Sequence, residues 1–364
     1  MKIAFYGSSL LSSYWNGAAT YYRGLLSDLA RRGYSITFYE PDAFDRQKHR
    51  DIEPPDWAEV KVYPATEEAM RGVVAEAAKA DVVVKASGVG VFDNELLEGV
   101  VAASRPDAIR IFWDVDAPAT LAELRQSPDH PLHRTMPSLD LVLTYGGGPP
   151  VVAAYEEFGA RRCIPIYNAC DPSTHHPVPA DERFKADLSF LGNRLPDREV
   201  RVEQFFLEPA ARLPNRSFLI GGNGWETKAM PSNVRHIGHV YTRDHNAFNT
   251  SPLAVLNIAR DSMATTGYSP ATRVFEAAGA GACLITDAWV GLDLFLKEGE
   301  EVLVARDGKD VADHVEALTP ERARAIGDAA QARILAAHTY TRRGAEVDAI
   351  LREEASLKRE RSVA

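Results

Sequence analysis

Residues 269–287 read SPATRVFEAAGAGACLITD. The run predicts a helix that passes straight into a strand. Ser269 suits the N-cap and Pro270 the first helical position, where a missing N–H costs nothing. The small residues Ala277, Ala278, Gly279, Ala280 and Gly281 let the helix lie close against a sheet. The strand, ACLIT, is apolar throughout, as in a sheet covered on both faces. Two charges interrupt this buried pattern. Arg273 and Glu276 are three residues apart and share one face near the helix start. A helix N-terminus beside a guanidinium is an anion site matched to phosphate. A carboxylate one turn deeper can accept two hydrogen bonds from a vicinal diol. Together they fit a nucleoside diphosphate with its ribose. Spacing alone equally allows an Arg–Glu pair decorating a surface helix.

Outward from this stretch, strand and helix patterns alternate along the chain. KIAFYG, SITFYE, AEVKVYP, DVVVKASG, AIRIFWD and DLVLTYGGG read as strands, and RRCIPIY closes that series. Helical stretches are expected at 18–32, with a Gly stop at Gly33, and at 66–79, 93–104 and 149–158. A polar, Pro-rich linker follows (NACDPSTHHPVPADERFKA), and the pattern restarts. Its second run comprises DLSFLG, a helix over DREVRVEQFFLEPAARL, RSFLIGG, a short helix near 242–249, LAVLNIA, and the opening helix and strand. The last 45 or so residues read as helical. Alternation of this kind means α/β architecture with parallel sheets. Two such halves joined by a linker imply a cleft, where ligands usually bind.

Composition narrows the function classes. The chain has 364 residues, 45% hydrophobic and 25% charged, as expected of a packed protein with room for two domains. Its net charge of −10 argues against general nucleic-acid binding. Cys163, Cys170 and Cys283 show neither a disulfide nor a zinc spacing, and read as small buried hydrophobes. MKIAFYGSSLLSSYW reads as a first strand and not a signal peptide, and no run reaches the roughly 18–20 apolar residues of a membrane span. The expected location is cytoplasmic.

Several segments together resemble a known family. TRVFEAAGAGACLITD, continued by GLDLFLKEGEEVLV, is similar to the donor-site segment of GT-B glycosyltransferases. It most resembles the CgeB-like, spore-maturation-type branch, with its R-x-F-E-A-x-A-x-G-x-x-L-I-T-D pattern. SSYWNGAATYYRGLLSDLARRGYSITFYEPD, DLSFLGNRLPDR and HTYTRR resemble further segments of that branch. The resemblance implies two Rossmann-like, doubly wound domains facing across a cleft. Residues 1–170 would form the acceptor domain and 171–338 the nucleotide-sugar donor domain. Residues 339–364 would form a terminal helix returning to the first domain.

What it implies for the site is more specific. Glu276 falls at the ribose-binding acid, and Arg273 and Arg194 fall near the diphosphate. Asn193, beside Arg194 in GNRLPDR, belongs with them. Gly222 and Asn223, within the cluster Gly221–Gly224, would let backbone approach the nucleotide, unless the cluster is merely a turn. Many retaining relatives carry a second acid, E-x7-E, and Tyr268 stands in its place. This leaves stereochemistry and sugar type open. Asn257 and Arg260, in LNIARDS, end the preceding strand and are pocket candidates, or else ordinary core and loop residues.

In FWDVDAP, Asp114 and Asp116 follow a strand. A D-x-D in such a place can hold a metal, but the motif is short and lies far from the donor segment. A structural loop or an acceptor base is the better reading, with Asp116 the first choice and Asp114 the second. Tyr14, Trp15, Asn16 and Trp113 are acceptor-binding candidates, since sugars stack on aromatic rings, although most aromatics are core. His175 and His176 are neighbours and cannot easily serve one metal from one face. No metal site is expected.

The reading is a metal-independent hexosyl or deoxyhexosyl transferase. It needs no cofactor beyond its nucleotide-diphosphate-sugar donor substrate. Its acceptor is a sugar, lipid-linked group, small molecule or protein. Rivals are an epimerase or phosphorylase on the same fold, and a nucleotide-sugar binder without turnover. YGSSLLSS lacks the G-x-G-x-x-G of a dinucleotide oxidoreductase.

Overall fold

The computed structural model describes residues 1–14 and 16–363, and Trp15 therefore lies outside the described residues. The chain forms two compact units. One comprises residues 1–167 together with the segment from Tyr340 onward, and the other spans Asn168–Thr339.

The first unit is built on seven strands: β1 (Lys2–Tyr6), β2 (Ser35–Asp42), β3 (Ala58–Pro64), β4 (Val82–Ala86), β5 (Ile109–Asp114), β6 (Leu141–Thr144) and β7 (Cys163–Pro165). Their order is β3-β2-β1-β4-β5-β6-β7, and every neighbouring pair is parallel. The apolar strand interiors are buried, and the rings of Phe5, Phe38 and Tyr22 pack together on one face. The helix Tyr340–Val363 also belongs to this unit. It lies on the helix Ala19–Arg31, where Gly24 admits the Tyr340 ring: a Cβ there would stand 2.2 Å from that ring. Tyr34 Oη donates to Asp348 at 2.7 Å, and Lys358 Nζ donates to the Ala108 carbonyl at 2.6 Å.

The second unit carries β8 (Leu188–Leu191), β9 (Phe218–Gly221), β10 (Val234–His236), β11 (Ala254–Asn257), β12 (Leu284–Asp287) and β13 (Leu303–Ala305). The order is β10-β9-β8-β11-β12-β13, again parallel throughout. The chain reverses direction across the sheet between β1 and β4, and again between β8 and β11. In doubly wound sheets the carboxyl ends of the strands at such a reversal form the ligand crevice.

The structure departs from the sequence reading in places. The edge strands β10 and β13 have only three residues each, too short to leave a periodic signal. The helix expected over 197–213 contains a π turn at Glu203–Leu207, just before Pro209. Pro209 has no N–H to offer the ladder, and the wider turn carries the helix past it. The decisive helix starts at Thr272, with Ala271 at the N-cap and no capping side chain. Ser269 is not the cap, because its hydroxyl donates to the Gly267 carbonyl at 2.9 Å. Tyr268 sits in the left-handed region at φ 49°, so the chain stays irregular until Ala271. The three cysteines are buried and free. No helix among the described residues is long and apolar enough to cross a membrane.

Candidate functional site

The reversal between β8 and β11 gathers the loop after β8 (Gly192–Leu195), the loop after β11 (Ile258–Ala271) and the helix Thr272–Gly279. Arg273 and Glu276 project from that helix. Glu276 is only 8% exposed. No described group donates a hydrogen bond to its carboxylate. The nearest partner is His175, with Nε2 3.8 Å from Oε1. Burial presses the carboxyl toward protonation, but His175, His245 and Arg273 together outweigh it and hold the group below its ordinary value. The result is a buried, ionised acceptor with no hydrogen-bond donor among the described residues, an arrangement that is costly unless a ligand supplies the missing bonds.

Arg273 is anchored at one end, where Nη1 donates to Asn249 Oδ1 at 3.4 Å. Burial lowers its pKa, and Glu276 offsets part of that. The second cation here is Arg198. Its Nη2 donates to the Asn193 carbonyl at 2.7 Å, its Cζ lies 5.7 Å from the centre of the Phe190 ring, and its buried Nε has no hydrogen-bond partner. Burial, with Arg273 and Arg260 as like-charged neighbours, pushes its pKa down to about 10. Arg273 and Arg198, beside an uncapped helix start, form an anion site.

Arg194 does not join that cluster. Its guanidinium makes a two-point pair with Glu199, Nε–Oε2 2.8 Å and Nη2–Oε1 2.7 Å, and Lys228 joins the same carboxylate. Arg198 takes the place expected for it. The signal was in the sequence: Pro196 starts the helix, so Arg198 falls in its first turn. Gly222, Asn223 and Asn193 also have a different task from the one expected. Asn193 Oδ1 accepts from the Asn223 N–H at 3.0 Å, and Arg194 N–H donates to the Asn223 carbonyl at 2.9 Å. A Cβ on Gly222, at φ 118°, would stand 2.2 Å from the Gly192 carbonyl oxygen. These residues zip the loop after β8 to the loop after β9.

Asn257 is buried in β11, and its amide donates to Thr286 Oγ1 at 3.0 Å, so it braces the sheet instead of facing a pocket. Arg260 donates to Asp197 at 2.6 Å and adds its charge to the field at Arg198. Tyr268 donates its backbone N–H to the Val290 carbonyl at 2.6 Å. Its ring packs on Gly291, where a Cβ would lie 2.2 Å away.

Two histidines lie beside Glu276: His175, which the sequence reading set aside as a metal ligand, and His245, which it missed. His175 comes from the linker and His245 from the helix His245–Thr250. With Glu276 they place three ligating atoms within 4.8 Å of one another. His176, the neighbour of His175, is exposed and takes no part. Residues 175 and 245 are too far apart in sequence for any local pattern to join them.

In the first unit the structure corrects two expectations. Trp113 is 2% exposed, its Nε1 donates to Tyr21 Oη at 3.0 Å, and it packs on Phe5 and Tyr21. It is core and cannot stack on an acceptor. Asp114 is fully buried and accepts from Ser87 Oγ, Thr120 Oγ1, Tyr155 Oη and the Asp116 N–H. With its lone pairs used, it anchors the loop after β5 and is not a base. Asp116 is half-buried at the start of the helix Ala117–Gln126. Its carbonyl accepts the N–H groups of Ala119 and Thr120, and no helix N–H binds its side chain.

Asn16 is buried. Its amide donates to the Ser9 and Ser12 carbonyls and its oxygen accepts from Ser8, so it holds the loop after β1 closed. Tyr14 is exposed and stacks on His49. Glu40, another residue the sequence reading passed over, accepts from the backbone of Leu10 and Leu11 and fixes the same loop.

Residues 198–349 match the family model described as glycosyl transferase-like. Among solved structures, HepE of Anabaena in complex with UDP and glucose superposes with a TM-score of 0.69 at 14% identity, covering 97% of this chain and 100% of that one. Sucrose-phosphate synthase of Thermosynechococcus elongatus gives 0.69 at 13% identity, over 97% and 98%. An α-glucosyltransferase in complex with UDP-glucose and DNA containing an abasic site gives 0.70 at 11% identity, over 96% and 99%. No curated protein sequence is a significant match.

Proposed function

We propose that this chain, which has the GT-B glycosyltransferase fold, moves a sugar from a nucleoside-diphosphate donor held by its second unit to a hydroxyl acceptor. One observation carries the reading. Glu276 is a buried, ionised carboxylate without a protein hydrogen-bond donor, one turn inside a helix whose uncapped start lies beside Arg273 and Arg198. The carboxylate suits the ribose diol. The two guanidinium groups and the helix start suit the diphosphate. UDP is the first nucleotide to test, because HepE and the α-glucosyltransferase were solved with it or its glucose ester.

In transfer, the bond from the sugar's anomeric carbon to the β-phosphate oxygen breaks. Charge collects on that oxygen, where Arg198, Arg273 and the helix start stabilise it. No divalent ion is needed for this step, since fixed cations meet the leaving group. Asp116 is the proposed base that takes the acceptor's proton. It stands just after β5, at the start of the helix Ala117–Gln126. The CgeB-like kinship rests on the pattern from Arg273 to Asp287, and a cytoplasmic setting accords with three free thiols.

The test is a thermal-shift and calorimetry series against UDP, GDP, dTDP, CMP and ADP and their sugars. A ligand at about a hundred times its dissociation constant adds about 2.7 kcal/mol of stability. Binding of a donor sugar with release of the nucleotide in the presence of an acceptor supports the proposal. Binding without turnover under any acceptor would return the chain to a nucleotide-sugar binder. Tyr268, standing where relatives carry an acid, makes that the outcome to watch.

A further inference from the structure

We infer that His175, His245 and Glu276 form a binding site for one zinc-class divalent ion, and that the ion and the donor ribose exclude each other because both need the Glu276 carboxylate. The ligating atoms of the three side chains converge within 4.8 Å, yet none of them hydrogen-bonds another. His175 and Glu276 are 4% and 8% exposed, so this is not a chance surface grouping.

His175 is held through Nδ1, which lies 3.0 Å from Thr174 Oγ1, while its Nε2 faces Glu276. His245 Nε2 lies 3.3 Å from the Val240 carbonyl, an acceptor, which puts its proton on Nε2 and leaves the lone pair on Nδ1. Each imidazole thus has a hydrogen-bond partner on one nitrogen and keeps the other for a ligand, the usual arrangement around a bound metal. Two imidazoles and one carboxylate are a zinc-class ligand set with a fourth position open. Magnesium and calcium would want more oxygens.

The site does no chemistry on the sugar. An ion there occupies the acceptor that the ribose diol needs, so zinc raises the apparent dissociation constant of the nucleotide, and nucleotide raises that of zinc by the same factor. The antagonism rests on the donor reading given above, whereas the metal site itself does not.

The test uses the full chain, stripped with chelator and titrated with cobalt as a spectroscopic stand-in for zinc. The expected result is saturation at one equivalent, with a four-coordinate visible spectrum and no thiolate charge-transfer band. Zinc should displace the cobalt. His245→Ala and Glu276→Gln should each weaken binding by more than about 100-fold, and Thr174→Val, an outer partner, by about 10–100-fold. His176→Ala should change nothing. The wild-type spectrum needs no variant, so a variant that misfolds does not decide the matter. Absence of a saturable equivalent overturns the site. A thiolate band, which would put Cys170 on the metal, overturns it too, as does undiminished binding in the folded His245 and Glu276 variants. UDP titrated in chelator reports on the donor reading separately. A chain that binds UDP but not cobalt loses the metal site alone. Cobalt binding undiminished by saturating UDP overturns the shared use of Glu276.

Discussion

At the scale of single residues, the candidate site separates arginines that are already neutralised from arginines that are not. Arg194 gives both arms of its fork to Glu199, while Arg198 keeps a buried Nε without a partner. Arg198→Ala should therefore weaken UDP by about 1.5–3 kcal/mol, the range for hydrogen bonds to a charged group, and leave uridine nearly unaffected. Arg194→Ala should cost UDP much less. Parallel calorimetry of UDP and uridine checks both, and equal losses for the two variants would put the diphosphate elsewhere.

The pH dependence has a definite sign. Glu276 is held below the ordinary carboxyl value of about 4.3, so the ionised form persists as pH falls through that value. Nucleotide affinity due to Glu276 is then present above the ordinary value and lost only below it. A titration in which that affinity already disappears well above the ordinary value contradicts the lowered pKa.

At the scale of elements, the helix Thr272–Gly279 sets stability against binding. Ala271 offers its N-cap no side-chain oxygen, although its backbone is extended, as a cap requires. Ala271→Asp should raise the protein's stability by about 1 kcal/mol. It should also weaken UDP, because a carboxylate would stand at the helix end proposed for phosphate. Chemical denaturation and calorimetry on the same variant check the two signs. A gain in both would mean that no anion binds there.

The element scale also shows what could be read from sequence. Parallel strands buried on both faces are continuous apolar runs, and Val82–Ala86 and Ile109–Asp114 were plain for that reason. The helix was plain as well, but not its first residue. The left-handed turn at Tyr268 and the Ser269–Gly267 hydrogen bond are decided by contacts with Val290 and Gly291, which no local pattern contains. Glu276 and Arg273 were legible because one helix turn brings them together. His175, His245 and Asn249 were not, because only the folded sheet does. Trp113 and Asp114 looked functional for being aromatic and acidic at a strand end, and burial made them structural.

At the scale of the whole molecule, the chain ends by returning to the unit in which it began. The helix Tyr340–Val363 is tied to the first unit by Tyr34–Asp348, by Arg162 with Glu353 and Glu354, and by Lys358. Two glycines set how closely it sits: a Cβ on Gly24 would meet the Tyr340 ring, and one on Gly344 would meet the Asp28 carboxylate at 2.1 Å. Gly24→Val should destabilise the first unit by about 1–3 kcal/mol through overpacking. UDP affinity, a property proposed for the second unit, should remain close to wild type at temperatures where both are folded. Thermal denaturation followed with and without UDP checks this. Unchanged melting would mean that the terminal helix contributes little to the first unit.

The claim on which the rest depends is that Glu276 grips the ribose. Isothermal calorimetry of UDP and of 2′-deoxy-UDP with wild type and Glu276→Ala, in chelator, tests it most directly. Alanine suits a helix interior, so the fold should survive. Wild type should prefer UDP to the deoxy form, and the variant should bind UDP about 1.5–3 kcal/mol more weakly, with that preference reduced. A folded Glu276→Ala protein that binds UDP as tightly as wild type, with the same preference over the deoxy nucleotide, would contradict it.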